Sequence, residues 1–133
     1  AHAEPQAFLG LHALVAEDNP VNQLVLRAFL ADLGMTCDIA DDGRTACELF
    51  DPARHHIVFM DIQMPDIDGT QATAWIRGHA QGGATVPIVA ITADNSPARR
   101  AEGLAVGCDE YLTKPIRLSA VRTAVARFFT GPT

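Results

Sequence analysis

The 133 residues predict a doubly wound α/β domain, a parallel sheet with helices on both faces. Three observations carry this. Short apolar runs alternate five times with longer stretches of helical spacing, the pattern of parallel strands joined by crossover helices. Two of the runs, Ile57 to Met60 and Pro87 to Ile91, are uninterrupted and suit strands buried on both faces. The length suits one domain, large enough to bury a core without staples.

Leu11 to Ala16 is a run of strand length that stops abruptly at Glu17, Asp18 and Asn19. Pro20 fits the first turn of a helix capped by Asn19 or Asp18, and Gly34 ends that helix near Leu33. Thr36 to Ala40 is a weaker second strand. Asp42-Gly43 turns into a helix through Phe50, with Pro52 marking its end. Strand three, Ile57 to Met60, leads through a loop from Gln63 to Asp68 into a helix from Gly69 to Arg77. After Gly82-Gly83 comes strand four, then Thr92 to Ser96 and a helix from Pro97 to Val106. Glu110 to Thr113 and Leu118 to Phe129 form the last pair, with Leu118, Val121, Val125 and Phe128 on the buried helix face. Residues 1–10 read as a linker, 11–130 as the domain and 131–133 as a tail.

Composition excludes several classes. A net charge of −6 without a basic stripe gives no basis for nucleic-acid binding by this chain. No apolar stretch reaches the ~18 residues of a membrane span, and no signal peptide opens the sequence. Cys37, Cys47 and Cys108 are far apart and odd in number, as expected of buried thiols in a reducing compartment rather than a zinc site. A cytoplasmic location follows, either free or at the cytoplasmic end of a larger membrane-attached protein.

In such sheets, ligands bind beyond the carboxyl ends of the strands. Strand one ends in Glu17-Asp18, strand three in Asp61, strand four in Thr92 and strand five in Lys114-Pro115. Carboxylates gathered at one edge repel one another and call for a cation. Mg²⁺ suits them, since it takes few protein carboxylates, keeps waters and completes its shell with phosphate oxygen; Mn²⁺ suits the same donors. Lys114 offers an ammonium and Thr92 a hydroxyl to phosphoryl oxygens. Asp61 at the centre is then a carboxylate nucleophile for phosphoryl transfer. Nine of the ten basic residues are Arg, and the single Lys is Lys114, which points to a need for a compact charge there.

The stretches LVAEDNPVNQ, VFMDIQMPDIDG, IVAITAD and DEYLTKP resemble the receiver domain of two-component response regulators. EDNPVNQ with MDIQMPDIDG is similar to receivers attached to hybrid sensor histidine kinases. The resemblance covers residues 11 to 130 with all four motifs in order. It implies a flavodoxin-like five-stranded sheet of order 2-1-3-4-5 with five helices. It further implies that Asp61 is the phosphoacceptor and Asp18 a direct Mg²⁺ ligand, with Glu17 reaching metal through water. The backbone carbonyl of Gln63 would complete the protein ligands. Thr92 matches the switch hydroxyl, Tyr111 the aromatic switch position, and Lys114 the lysine before a cis-proline. Glu17-Asp18 departs mildly from the commoner Asp-Asp. The implied activity is Mg²⁺-dependent phosphoryl transfer from phosphohistidine, with the domain catalysing its own phosphorylation and dephosphorylation. The implied partners are a histidine kinase or a histidine phosphotransfer domain, with neither nucleic acid nor membrane contacted by this chain. Gln63 and Asp94 flank the path of attacking water.

Plainer roles fit other residues. Met60, Met64 and Trp75 read as packing, and adjacent His55 and His56 as loop residues that do not share one face. If Val25, Leu26, Phe29 and Leu33 of the first helix face the sheet, Leu24, Ala28 and Ala31 form an apolar stripe outside, suited to docking a partner. A haloacid dehalogenase-like phosphatase would want an acid two residues after Asp61, where Gln63 stands. A flavodoxin-like binder would not put Glu17-Asp18 against a phosphate. A degenerate receiver that binds partners without phosphorylation remains the rival, against which Asp61, Thr92 and Lys114 stand together.

Overall fold

The computed structural model describes residues 8–64, 67–94 and 96–129. The expected linker up to residue 7 and the tail at 131–133 lie outside them. Five strands, β1 (His12–Ala16), β2 (Thr36–Ala40), β3 (Ile57–Asp61), β4 (Ile88–Thr92) and β5 (Glu110–Thr113), alternate with α1 (Pro20–Asp32), α2 (Gly43–Leu49), α3 (Gly69–His79), α4 (Pro97–Val106) and α5 (Leu118–Phe128). The strands form one parallel sheet in the order β2-β1-β3-β4-β5, as the resemblance implies. The expected boundaries hold within about two residues. Asp61 and Thr92 are the last residues of β3 and β4, at the strand ends where the sequence places them.

Period-two alternation splits the core. Ala13, Val15, Phe59, Val89 and Ile91 point to one face, packed with Leu26 and Leu30 of α1, Leu33 at its C-cap, and Val121 and Val125 of α5. Leu14, Ala16, Val58, Met60, Ile88 and Ala90 point to the other, packed with Ala46 of α2 and Ala72 and Ile76 of α3. Every residue of β3 and β4 is buried, as expected of central strands covered on both sides. Phe8 is buried against the α1 and α5 layer, and its amide donates to the Leu33 carbonyl. Leu30, absent from the expected inner face of α1, is fully buried there, whereas Val25 and Phe29 are only half-buried.

Local chemistry starts and stops the helices. Asn19 Oδ1 accepts from the amides of Val21 and Asn22 at the head of α1, and Pro20 needs no partner there. Asp68 and Gln71 form a reciprocal capping box on α3. Gly34 follows α1 with φ of +88°, the left-handed conformation that ends helices at glycine. Gly69 serves a different need, because a Cβ there would stand 2.1 Å from the Asp61 carbonyl oxygen. Its bareness lets α3 abut the end of β3. Among the described residues, no helix is long and apolar enough to cross a membrane.

Candidate functional site

Parallel strands place their carboxyl ends on one rim, which gathers Glu17, Asp61 and Lys114 although 44 and 53 residues separate them in sequence. Asp61 is fully buried. Its Oδ1 accepts from the Gln63 amide at 2.9 Å and its Oδ2 from Lys114 Nζ at 2.9 Å. Glu17 is also fully buried. Its Oε2 accepts from the Asn19 amide at 3.1 Å. Its Oε1 lies 3.5 Å from Lys114 Nζ and has no hydrogen-bond partner, a condition shared among the described residues only by Arg122 Nε. Asp18 is exposed beside them, and carboxylate oxygens of Glu17, Asp18 and Asp61 lie within 4.8 Å of one another.

The electrostatics follow from this crowding. Burial pushes the Glu17 carboxyl up to about 7, and the neighbouring Asp61 carboxylate adds to the rise against the opposing Asn19 amide and Lys114 ammonium. Burial alone would lower Lys114, but its hydrogen bond to Asp61 and the charges of Asp61 and Glu17 outweigh it and raise the ammonium above its ordinary range. One ammonium thus serves two buried carboxylates with a third beside them. A buried oxygen left unpaired is costly, and a hard divalent cation among oxygen donors relieves both costs. The donor set fits Mg²⁺.

Other expected residues stand apart. Thr92 is buried at the end of β4, but its hydroxyl donates to the Asp94 carbonyl at 2.9 Å and accepts from the Asp94 amide at 3.0 Å. It is engaged in its own turn rather than with Asp61. Tyr111 is half-buried; its hydroxyl donates to the Arg100 carbonyl of α4, and the Arg100 guanidinium lies 4.8 Å from its ring centre. Gln63 is exposed, and its amide rather than its side chain reaches Asp61. The Lys114–Pro115 bond is cis, and the Lys114 amide donates to the Thr92 carbonyl at 2.9 Å.

Two residues escaped the sequence reading. Gln23 Nε2 donates to the Glu17 carbonyl at 2.7 Å and to Asp41 Oδ1 at 2.7 Å, tying α1 to the ends of β1 and β2. Its only signal was its place as a polar residue in the first turns of α1. Val21 is 66% exposed and Leu24 67%, and with exposed Ala28 and Ala31 they make a stripe at helical spacing. Val21 could have been found one turn before Leu24.

The description "Response regulator receiver domain" belongs to the family that matches residues 13–126. Hybrid signal transduction histidine kinase G of Dictyostelium discoideum is 37% identical over 92% of this chain and 4% of its own length. The receiver domain of a sensor histidine kinase from Pseudomonas aeruginosa, solved with a magnesium ion coordinated in its active-site cleft, superposes with a TM-score of 0.79. It is 34% identical and covers 90% of this chain and 97% of that one. A co-crystal of the Saccharomyces cerevisiae histidine phosphotransfer protein Ypd1 with the receiver domain of Ssk1 aligns at a TM-score of 0.82 and 32% identity, over 91% of this chain and 90% of that one. The chain spans about a quarter or less of the length of the curated relatives it matches.

Proposed function

The chain belongs to the response regulator receiver family, and from that premise we propose that Asp61 accepts a phosphoryl group from a partner's phosphohistidine, altering the surface around Tyr111. The observation that carries the assignment is the buried Asp61 carboxylate, held by Lys114 on one oxygen and by the Gln63 amide on the other, beside a buried Glu17 oxygen that has no hydrogen bond. In the transfer, an Asp61 carboxylate oxygen attacks phosphorus in line, the P–N bond breaks, and the imidazole leaves with its electron pair. Asp18, Asp61 and the Gln63 backbone carbonyl would hold Mg²⁺ directly and Glu17 through water; Mn²⁺ meets the same oxygen donors. The ion supplies charge neutralisation for the phosphoryl oxygens.

Lys114 already bridges toward both buried carboxylates and follows the charge onto a phosphoryl oxygen. Thr92 must exchange its Asp94 partner for a phosphoryl oxygen, which draws β4's end toward Asp61. Tyr111 then gives up the Arg100 carbonyl and turns inward. The shift is one of populations, set by the phosphoryl group's preference for one state. The same groups admit water to the acyl phosphate, so the domain also dephosphorylates itself, with Gln63 and Asp94 beside that path. The cytoplasm is the proposed site of action, in line with three free cysteines.

The donor is a histidine kinase or a histidine phosphotransfer domain, and its helices dock on the Val21, Leu24, Ala28 and Ala31 stripe. The Ssk1 receiver, solved with Ypd1, supports such a partner. Parallel phosphorylation by a phosphorylated histidine phosphotransfer protein and by acetyl phosphate tests this. Leu24→Asp should slow the protein donor about tenfold or more, an effect of about 1.4 kcal/mol, and leave acetyl phosphate unaffected. Equal slowing of both donors would refute the docking face, and transfer to Asp61→Asn would refute the acceptor. A phosphorylation-independent binding module, the rival role, predicts no transfer from either donor.

A further inference from the structure

Three of the five histidines of the chain converge at the opposite rim, where β1, β2 and the segment before β3 begin. His55 is buried. Its Nδ1 accepts from the Asp51 amide at 3.0 Å, and its Nε2 lies 2.9 Å from Asp38 Oδ2. His56 Nδ1 accepts from the His12 amide at 3.0 Å, while the His56 amide donates to the His12 carbonyl at 2.8 Å. His12 Nε2 lies 3.0 Å from the same Asp38 oxygen, with its Nδ1 2.6 Å from the Thr36 hydroxyl.

A ring nitrogen that accepts a backbone N–H carries no proton of its own. The backbone therefore selects the neutral Nε2–H tautomer in both His55 and His56. Protonation of His55 would aim N–H at N–H and break its bond to the Asp51 amide. Metal binding is disfavoured for the same reason. His12, Asp38 and His55 have a metal-like donor set, but coordination through His55 Nε2 would drive its proton onto Nδ1, against the Asp51 amide.

We propose that this rim is an acid-sensitive latch: protonation of His55 releases the 51–56 segment that leads into β3, leaving the acidic site at the far end of that strand untouched. His55 faces Asp38 from β2, His12 from β1, Arg54 from its own segment and Phe50 from the end of α2. His56 faces the His12 amide and, 6.4 Å away, the ring of Phe129 after α5. Burial lowers the His55 pKa and outweighs the opposing pull of Asp38, with His12 and Arg54 adding to the fall. The open segment therefore binds more protons than the closed one below the ordinary histidine value of about 6.5, so closure weakens as pH falls through that value.

Ring nitrogen spectra of isotope-labelled protein, with amide exchange corrected for intrinsic rates, test the latch between pH 7.5 and 5. At pH 7.5 both rings should show the Nε2–H tautomer. Protection of the Asp51 amide should then fall with pH, approaching tenfold per pH unit. His55→Asn keeps an acceptor near the Nδ1 position but cannot titrate, and should preserve Asp51 amide protection at pH 5. An Nδ1–H tautomer of His55 at pH 7.5, pH-independent protection of the Asp51 amide, or stoichiometric Zn²⁺ binding lost in His12→Ala would overturn the proposal.

Discussion

Carboxylates stand at both rims of the sheet, and their surroundings differ in kind. Near the amino-terminal rim, Asp38 is met by His12, His55 and Arg54, and Asp109 by Arg77 and the Ile88 amide. Arg77 also donates to the carbonyls of Gly83, Val86 and Gly107, closing the ends of α3 and α4 against the starts of β4 and β5. At the carboxyl-terminal rim, one Lys114 faces Asp61 and Glu17, a buried Glu17 oxygen has no hydrogen bond, and the Thr92 hydroxyl is turned aside. The first set of charges is saturated within the fold; the second leaves a buried oxygen without a hydrogen bond.

Substitutions at the two rims should therefore behave oppositely. The largest effect on stability belongs to Arg77→Met, which strips a mostly buried cation from several acceptors and should cost about 3 kcal/mol in urea denaturation. The folded fraction should still be phosphorylated at the normal rate. Lys114→Ala should slow phosphorylation about a hundredfold or more, and its stability should become Mg²⁺-dependent; a stability indifferent to Mg²⁺ would erase the distinction between the rims. Asp61→Asn removes one of the three crowded carboxylates and should stabilise the metal-free protein by about 1 kcal/mol, as substitutions at strained functional sites often do. Asp38→Asn should instead destabilise it by about 1 to 2 kcal/mol.

The signs with pH also oppose each other. The hydrogen bond from His12 leads the interactions that hold Asp38 down to about 2, so its contribution to stability is present above the ordinary carboxylate range and is lost as pH falls toward 2. Glu17 is raised to about 7, so its contribution is full below about 4.5 and is lost as pH rises through 7. Urea midpoints in chelator should show that loss in the wild type relative to Glu17→Gln. Identical profiles would remove the electrostatic part of the contrast.

The carboxyl-terminal rim was the more legible of the two. Asp61, Thr92, Lys114 and Glu17-Asp18 each end a strand, and strand ends can be read from apolar runs interrupted by polar residues. The saturated rim was hidden because its partners are joined only by topology: Asp38 meets His12 and His55 from 26 and 17 residues away. His55 and His56, adjacent and alternating, divide into one buried and one exposed ring, as the two faces of an extended segment require. The orientations of Thr92 and Tyr111 were illegible for another reason. Each hydroxyl is held by a backbone carbonyl, that of Asp94 or of Arg100, and sequence does not record which of two partners a hydroxyl holds.

Intact mass after incubation with acetyl phosphate and Mg²⁺ tests the central claim most directly, with wild type, Asp38→Asn and Asp61→Asn side by side. The wild type and Asp38→Asn should each gain one Mg²⁺-dependent phosphoryl group, and Asp61→Asn none. A gain on Asp61→Asn, or none on folded wild type with several small donors, would contradict the assignment of the unsaturated rim as the phosphoacceptor site.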